Sequence, residues 1–189
     1  MLKTVPMRIA FGISDISAQI AASACIPDGI SRFMSHSEHL IESKQYFHEA
    51  TGMLLMEMLM GPDAEGPPDH VHGGFTCAIL DEVMGGAAWC NGYPVLAANI
   101  NVSLRKSIPL GKRFYCAGKT ERIDTRRIYT TGQIFDAAGI VYTSATAVFI
   151  RIPEAILIAS NKRFSRFASF NKMRKNGHSV SEIIARGIS

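Results

Sequence analysis

The chain has 189 residues, enough for one domain with a real core, or for one domain plus extensions. Hydrophobic residues are 47% of it and charged residues 19%, which excludes wholesale disorder, and no apolar run is long enough to span a bilayer. The formal net charge of +4 is unevenly spread: residues 160–189 hold seven Lys and Arg against one acid, so the excess belongs to a tail, and no nucleic-acid-binding motif accompanies it.

In chain order, residues 1–44 read as a partly helical lead-in. Lys3 and Arg8 precede the first acid, Asp15. An ordinary extension is expected there, with a mitochondrial leader as the alternative. The stretch SHSEHLIESK predicts a short helix capped by Ser35 or Ser37. QYFHEA and MLLMEMLM then read as two strands of a hairpin around Thr51-Gly52, with the methionines filling core. GPDAEGPPD is a loop on composition. A helix follows from about Phe75 to Trp89, apolar nearly all round and therefore expected to be surrounded by other structure. Asn91 or Gly92 ends it.

The remainder reads as β. In VLAANINVSLRK the residues Ala98, Ile100, Val102 and Leu104 alternate with Asn99, Asn101, Ser103 and Arg105. RFYCAGKTERI, RRIYTTGQIF and IVYTSATAVFIRI make three further strands. A hairpin, one buried helix and successive antiparallel strands together predict an α+β fold, a curved antiparallel sheet wrapped around one long central helix. The boundaries fall at 1–44, 45–153 and 154–189. In the tail, Phe164, Phe167 and Phe170 recur at spacing three, and Ser179-x-x-Glu182 fits a capping box before a small apolar face. A short amphipathic helix is expected to lie on the body or on a partner subunit. The tail's charge could meet anionic lipid, a nucleotide or nucleic acid, and a solvated tail without a partner is the simpler expectation. The four cysteines, Cys25, Cys77, Cys90 and Cys116, have no metal-ligand spacing, which suits a reduced, cytoplasmic setting.

The chemistry gathers in GPPDHVHGGFTCAILDEVMGGAAW, residues 66–89. Gly73 and Gly74 stand where loop becomes helix. Amides there lack internal partners and carry the positive end of the helix dipole, a good setting for a developing oxyanion or a polarised carbonyl. Asp81 lies two helical turns on, on the same face, where a carboxylate is costly unless paired or lining a cavity. Such a group suits a general base or a nucleophile. Glu82 points about 100° away and reads as structural. His70 and His72 flank Val71 without a third metal ligand, and His72 is expected to fix the loop. Gly85 and Gly86 cost helix stability, so sheet, a partner helix or a ligand must approach them closely.

EGPPDHVHGGFTCAILDE, AANINVSLRKSIPLG and TSATAVFIRI together resemble the hotdog-fold acyl-CoA thioesterases, in the branch with phenylacetate-pathway thioesterases and the eukaryotic thioesterase superfamily members. The resemblance spans about Gln45 to Pro153. It implies a homodimer or a dimer of dimers with sites at the subunit interface, and no cofactor beyond coenzyme A as part of the substrate. It implies Asp81 as general base or nucleophile, and the Gly73 or Gly74 amide, near His72, as oxyanion donor. By position, Ser103 and Arg105 fall where relatives contact coenzyme A, and Arg126 and Arg127 start a neighbouring strand that contributes to the same end. Many relatives place Thr or Ser where this chain has Ala97. Asn99, two residues on, is the candidate substitute.

Three functions follow as expectations. The first is an acyl-CoA thioesterase. The second is a hotdog enzyme acting on a carrier-bound intermediate, such as a polyketide chain, motivated by Ala97 and by a basic tail that could dock an acidic carrier. The third is a non-catalytic binding module. No nucleic-acid partner, no metal and no stable membrane insertion are expected.

Overall fold

A computed structural model describes residue 11 and residues 15–27, 39–159 and 161–187, with the side chains of residues 158–167 outside that description. The expected Ser35 or Ser37 cap and the Phe164 and Phe167 side chains lie outside the described residues.

Seven antiparallel strands among the described residues form one sheet: β1 (Ala24–Ile26), β2 (Ile41–His48), β3 (Met53–Met60), β4 (Val95–Leu104), β5 (Arg113–Ile123), β6 (Arg127–Phe135) and β7 (Val141–Arg151). Their order across the sheet is β1-β2-β3-β5-β6-β7-β4. The Thr51-Gly52 hairpin forms as expected, with Gly52 at φ 65° closing the turn between β2 and β3. The stretch read as a helix instead contributes its last four residues, Ile41 to Lys44, to β2. Their register with Met60 to Glu57 of β3, with Ile41 buried, is a tertiary pairing that overrides local helix propensity. A short helix α1 (Ile16–Ala21) precedes β1, capped by Asp15. Its Ile16 and Ile20 lie on an apolar cluster of Met53, Leu55, Ala117, Phe135 and Val141. Alternation along β3 and β5 assigns that cluster to the face opposite Met56, Met58 and Cys116, which belong to the main core.

The main core lies between the sheet and helix α2 (Gly73–Cys90). Close approach comes from glycine on both sides. A Cβ at Gly118 of β5 would stand 2.6 Å from the Val83 carbonyl oxygen, and one at Gly132 of β6 would stand 2.9 Å from Met84. On the helix, a Cβ at Gly86 would meet Leu54 at 2.6 Å, and one at Gly85 would meet Phe149 at 3.2 Å. Of the three candidates for what approaches the double glycine, the sheet is the one found. The β3 methionines Met53, Met56, Met58 and Met60 are all buried, as core filler should be.

Strand β4 closes the sheet and, among the described residues, pairs only with β7. Its register slips between Ala97 and Asn99: Ala97 is opposite Phe149, and Asn99 is opposite Val148. This bulge flips the alternation. Val95 is therefore a core residue together with Ile100 and Val102, although one is odd and the others even.

The tail folds back as α3 (Glu154–Ala159), α4 (Asn161–Lys175) and α5 (Val180–Ala185). It is docked on the body. Val180 and Ile183 of α5 are fully buried in the main core, and Ser179 and Glu182 form the expected capping box. Arg174 donates to the Glu49 carboxylate at 3.2 Å and to the His178 carbonyl at 2.8 Å, and the Val180 amide donates to the same carboxylate. Lys175 pairs with Glu154 at 2.7 Å. The expectation of a solvated tail thus gives way to attachment, because Arg174 and one backbone amide find the Glu49 carboxylate and the apolar face of α5 finds the core.

Removing the half-buried guanidinium leaves Glu49 without its cation. Arg174→Ala is expected to cost about 1–3 kcal/mol of stability, read from urea unfolding followed by circular dichroism.

Candidate active site

The loop before α2 is held from several sides. The His72 amide donates to the Ala64 carbonyl at 2.8 Å, the Val71 amide to Ile108 at 2.9 Å, and the Gly66 amide to His70 at 2.9 Å. Gly66 leaves room for the backbone of His72, whose Cα would lie 2.7 Å from an added Cβ. Asp69 takes a positive φ of 63°, and its amide donates to the Glu65 carboxylate at 2.7 Å. The start of α2 is therefore fixed before any ligand arrives.

His72 is the N-cap of α2. Its Nδ1 accepts from the Gly74 amide at 3.0 Å, so this ring is neutral at Nδ1 and carries its proton on Nε2. His70 uses the other tautomer, its Nδ1 donating to the Pro68 carbonyl at 2.8 Å. No group of three His, Cys, Asp or Glu among the described residues is placed to hold a metal ion. The cap has a consequence for the first turn. The Gly74 amide is already engaged, whereas the amides of Gly73 and Phe75 have no hydrogen-bond partner among the described residues. Of the two glycines expected to present a donor, Gly73 is the one left open. Phe75 is a second open amide that the sequence reading missed, although its place one residue beyond the capped position was the signal.

Asp81 is half-buried on α2 and makes no hydrogen bond or ion pair among the described residues. Burial pushes its carboxyl above the ordinary aspartate range. Eight residues of helix separate it from Gly73, a rise of about 12 Å. An Asp side chain tilted toward the helix start recovers only about 2–3 Å of that. A reacting carbon must sit about 3 Å from both the attacking group and the oxyanion donors. One chain therefore does not bring Asp81 and its own Gly73 amide onto a single carbon.

The remaining expected positions divide. Directly opposed residues share a sheet face. Ala97, opposite the buried Phe149, is on the helix side, whereas Asn99 is on the outer side with Asn101 and Ser103. Asn99 is thus not a same-face substitute for Ala97, because the bulge separates them. Ser103 and Arg105 are exposed at the far end of β4, where Leu104 touches Gly73 and the Arg105 amide donates to Tyr142 at 3.0 Å. Arg126 and Arg127 are exposed at the opposite end, beside Ile150, Arg151 and Val95. The two basic groups expected at one end of the sheet lie at opposite ends of one chain.

Residues 69–143 match the family model described as Thioesterase superfamily. That segment is similar to the thioesterase superfamily, and the fold is the hotdog fold of its solved structures. It is 33% identical over 110 residues to the acyl-coenzyme A thioesterase THEM4 of Xenopus laevis, covering 57% of this chain and 49% of that protein. It is 33% identical over 94 residues to THEM4 of Mus musculus, covering 49% and 40%. The crystal structure of a thioesterase superfamily protein superposes with a TM-score of 0.55 at 29% identity, over 57% of this chain and 53% of that one. The chain thus spans about half the length of the curated thioesterases it matches. The hotdog segment lies within the sheet and α2, and the tail α3–α5 falls beyond the matched residues.

A raised carboxyl makes the folded chain hold a proton that the unfolded chain has released. Stability should then fall as pH rises from the ordinary aspartate value of about 3.9 through the raised folded value, and stay level above it. Asp81→Asn is expected to abolish that fall, giving a variant more stable than its parent at neutral pH and equal to it in acid. Urea midpoints measured from about pH 3 to about pH 8 check this.

Proposed function

We propose that the chain hydrolyses acyl–coenzyme A thioesters at a site shared between two copies. The observation that carries this is the pairing on α2 of an unpartnered, half-buried Asp81 with an unpartnered Gly73 amide, too far apart to act together in one chain. The similarity to acyl-coenzyme A thioesterases supports the substrate class.

Strand β4 supports the second copy. It is ten residues long, one of its edges is unpaired, and it exposes Leu96 and Leu104. Such an edge is a template for strand addition. Antiparallel pairing of β4 with its copy sets the two α2 helices antiparallel across a two-fold axis. Asp81 of one copy then approaches the helix start of the other. The same pairing turns the Arg105 end of one copy toward the Arg126 end of the other, so the two basic groups can share one ligand.

In this reading the thioester oxygen accepts from the Gly73 amide. Ionised Asp81 takes a proton from a water that attacks the carbonyl carbon, or attacks it directly to form an anhydride that water then cleaves. The coenzyme A thiolate leaves and is protonated, and the free acid departs. His72 is a positioning residue that holds the helix start. Ser103, Arg105, Arg126 and Arg127 are the proposed contacts to the coenzyme. Of the tail cations that motivate the carrier-bound alternative, Arg174 and Lys175 are engaged by Glu49 and Glu154.

Asp81→Ala is expected to lose at least about 100-fold in kcat, measured by thiol release from short, aromatic and long acyl-CoA esters. Gly73→Pro removes the open amide at a helix position that tolerates proline, and is expected to fold and be inactive. Mixing and refolding the two inactive variants should restore about a quarter of parental activity, because each mixed dimer regains one intact site. Activity that stays absent after mixing, with mixed dimers present, would exclude the shared site.

A further inference from the structure

The outer face of the sheet, away from α2, carries an apolar patch that no step of the proposed hydrolysis uses. Met53 and Leu55 of β3, Ala117 of β5, Phe135 of β6 and Val141 of β7 form it, each at most 1% exposed. Tyr46 and Tyr115 pack at its margin. Among the described residues, the patch is covered by Phe11 and by Ile16 and Ile20 of helix α1.

The cover is much slighter than what it covers. Helix α1 has six residues, and none of them is fully buried. A helix that short is not stable by itself in water. Its hydrogen bonds, including both to the Asp15 cap, stay within residues 15–23. Among the described residues no hydrogen bond or ion pair ties it to the sheet. Seating it leaves the Gln19 side-chain oxygen buried without a partner, which costs free energy. A few apolar side chains thus hold a marginal helix over five residues of sheet. Uncovered, those five form one contiguous apolar patch, and such patches mark association sites.

The rim decides the occupant. By register, Glu57 stands opposite Tyr115 and Lys119 opposite Met53, at two sides of the patch. Glu57 is paired with Arg113, and Lys119 with Glu121 at 3.9 Å. Glu42 and Lys44 of β2 add one charge of each sign. No excess of charge therefore selects an anionic surface or an acidic partner. An isologous contact needs a surface that suits itself, and an apolar centre with a balanced rim does so. The layer spacing agrees. Two sheets pack face to face about 10 Å apart, which is the thickness of one helix layer. A second sheet and α1 therefore fill the same space and exclude each other.

We propose that this outer face is a second association surface of the chain, distinct from the β4 edge, which a second copy takes, sheet against sheet, when α1 lifts. In its seated position α1 keeps assemblies joined at β4 from stacking further. The inference needs neither Asp81 nor the start of α2, so it stands apart from the hydrolase reading.

The test is the mass of the full chain in solution, by light scattering after size exclusion, for the parent and for Ile16→Asp/Ile20→Asp. These residues touch the outer patch and not the main core. The body is therefore expected to keep its fold, checked by circular dichroism and the urea midpoint. The double variant is expected to show about twice the parent's mass, with the larger species favoured at higher concentration. Ile16→Ala/Ile20→Ala keeps a good helix former at both positions and removes only the anchors, and should shift the mass the same way. Leu55→Lys added to either pair should return the mass to the parent's, because stacking would bury an unpaired charge. Both double variants remaining at the parent's mass would overturn the proposal, even if they bind an apolar dye at the bared face. So would a mass increase that Leu55→Lys leaves unchanged, since the contact then lies elsewhere. Thiol release from acyl-CoA esters is not part of this readout, so a chain that cleaves nothing leaves the association surface standing.

Discussion

The contact on which the rest depends is that between α2 and the sheet at van der Waals distance. The Val83 carbonyl lies where a side chain at Gly118 would begin, and Gly132 yields to Met84 in the same way. Two glycines inside a helix cost roughly 1 kcal/mol each in propensity, and glycines inside strands weaken them as well. That cost is offset by dispersion contacts over a helix whose Ile79, Leu80, Val83, Met84, Ala87 and Ala88 are all fully buried. A helix seated this deeply has no freedom to rotate. The face bearing Asp81 is therefore set by the sheet, and the half-buried position of the carboxylate follows from core packing rather than from any contact of its own.

The second constraint is the bulge in β4. Without it, Val95 and Ile100 could not both point into the core, because their separation is odd. With it, the strand covers the α2 flank while its outer edge stays free. Ala97, opposite Phe149, comes to the helix side and is exposed. Asn99, Asn101 and Ser103 are turned to the other face. The polar residues of this strand are thus turned away from α2.

The strands were legible because alternation and turn residues are local signals, and α2 because its apolar run is long and bounded by Gly-Gly and Asn-Gly. The boundary of β2 was not, since Ile41 to Lys44 are recruited by pairing with β3 rather than by their own preference. The bulge leaves only a parity mismatch between Val95 and Ile100, which is visible afterwards and ambiguous before. Docking of the tail depends on Arg174 meeting Glu49 across most of the chain, and no window of sequence contains both. At the site, His-Gly-Gly with Asp81 two turns on was readable as a motif. That His72 caps Gly74, and so leaves the neighbouring amides as the free donors, depends on a side-chain rotamer. Asn171 and Arg151 carried no local signal, because only the return of α4 to the sheet makes them neighbours.

The opposite placement of the two basic groups bears on why the tail is docked at all. Arg105 belongs to the end of β4 that touches Gly73, and Arg126 to the end that α4 covers. The two groups thus fall at opposite ends of the sheet, and in the proposed antiparallel pair of chains each would meet its opposite. In that arrangement the tail is more than a buttress against the Glu49 turn. By bringing Asn171 and Lys175 over the β6–β7 termini, it converts an exposed strand end into a walled cavity. Burial of Val180 and Ile183 fixes the wall at a distance from the cavity itself. Val180, Ile183 and Arg174 thus hold the tail from one side, while Asn171 and Lys175 line the cavity on the other.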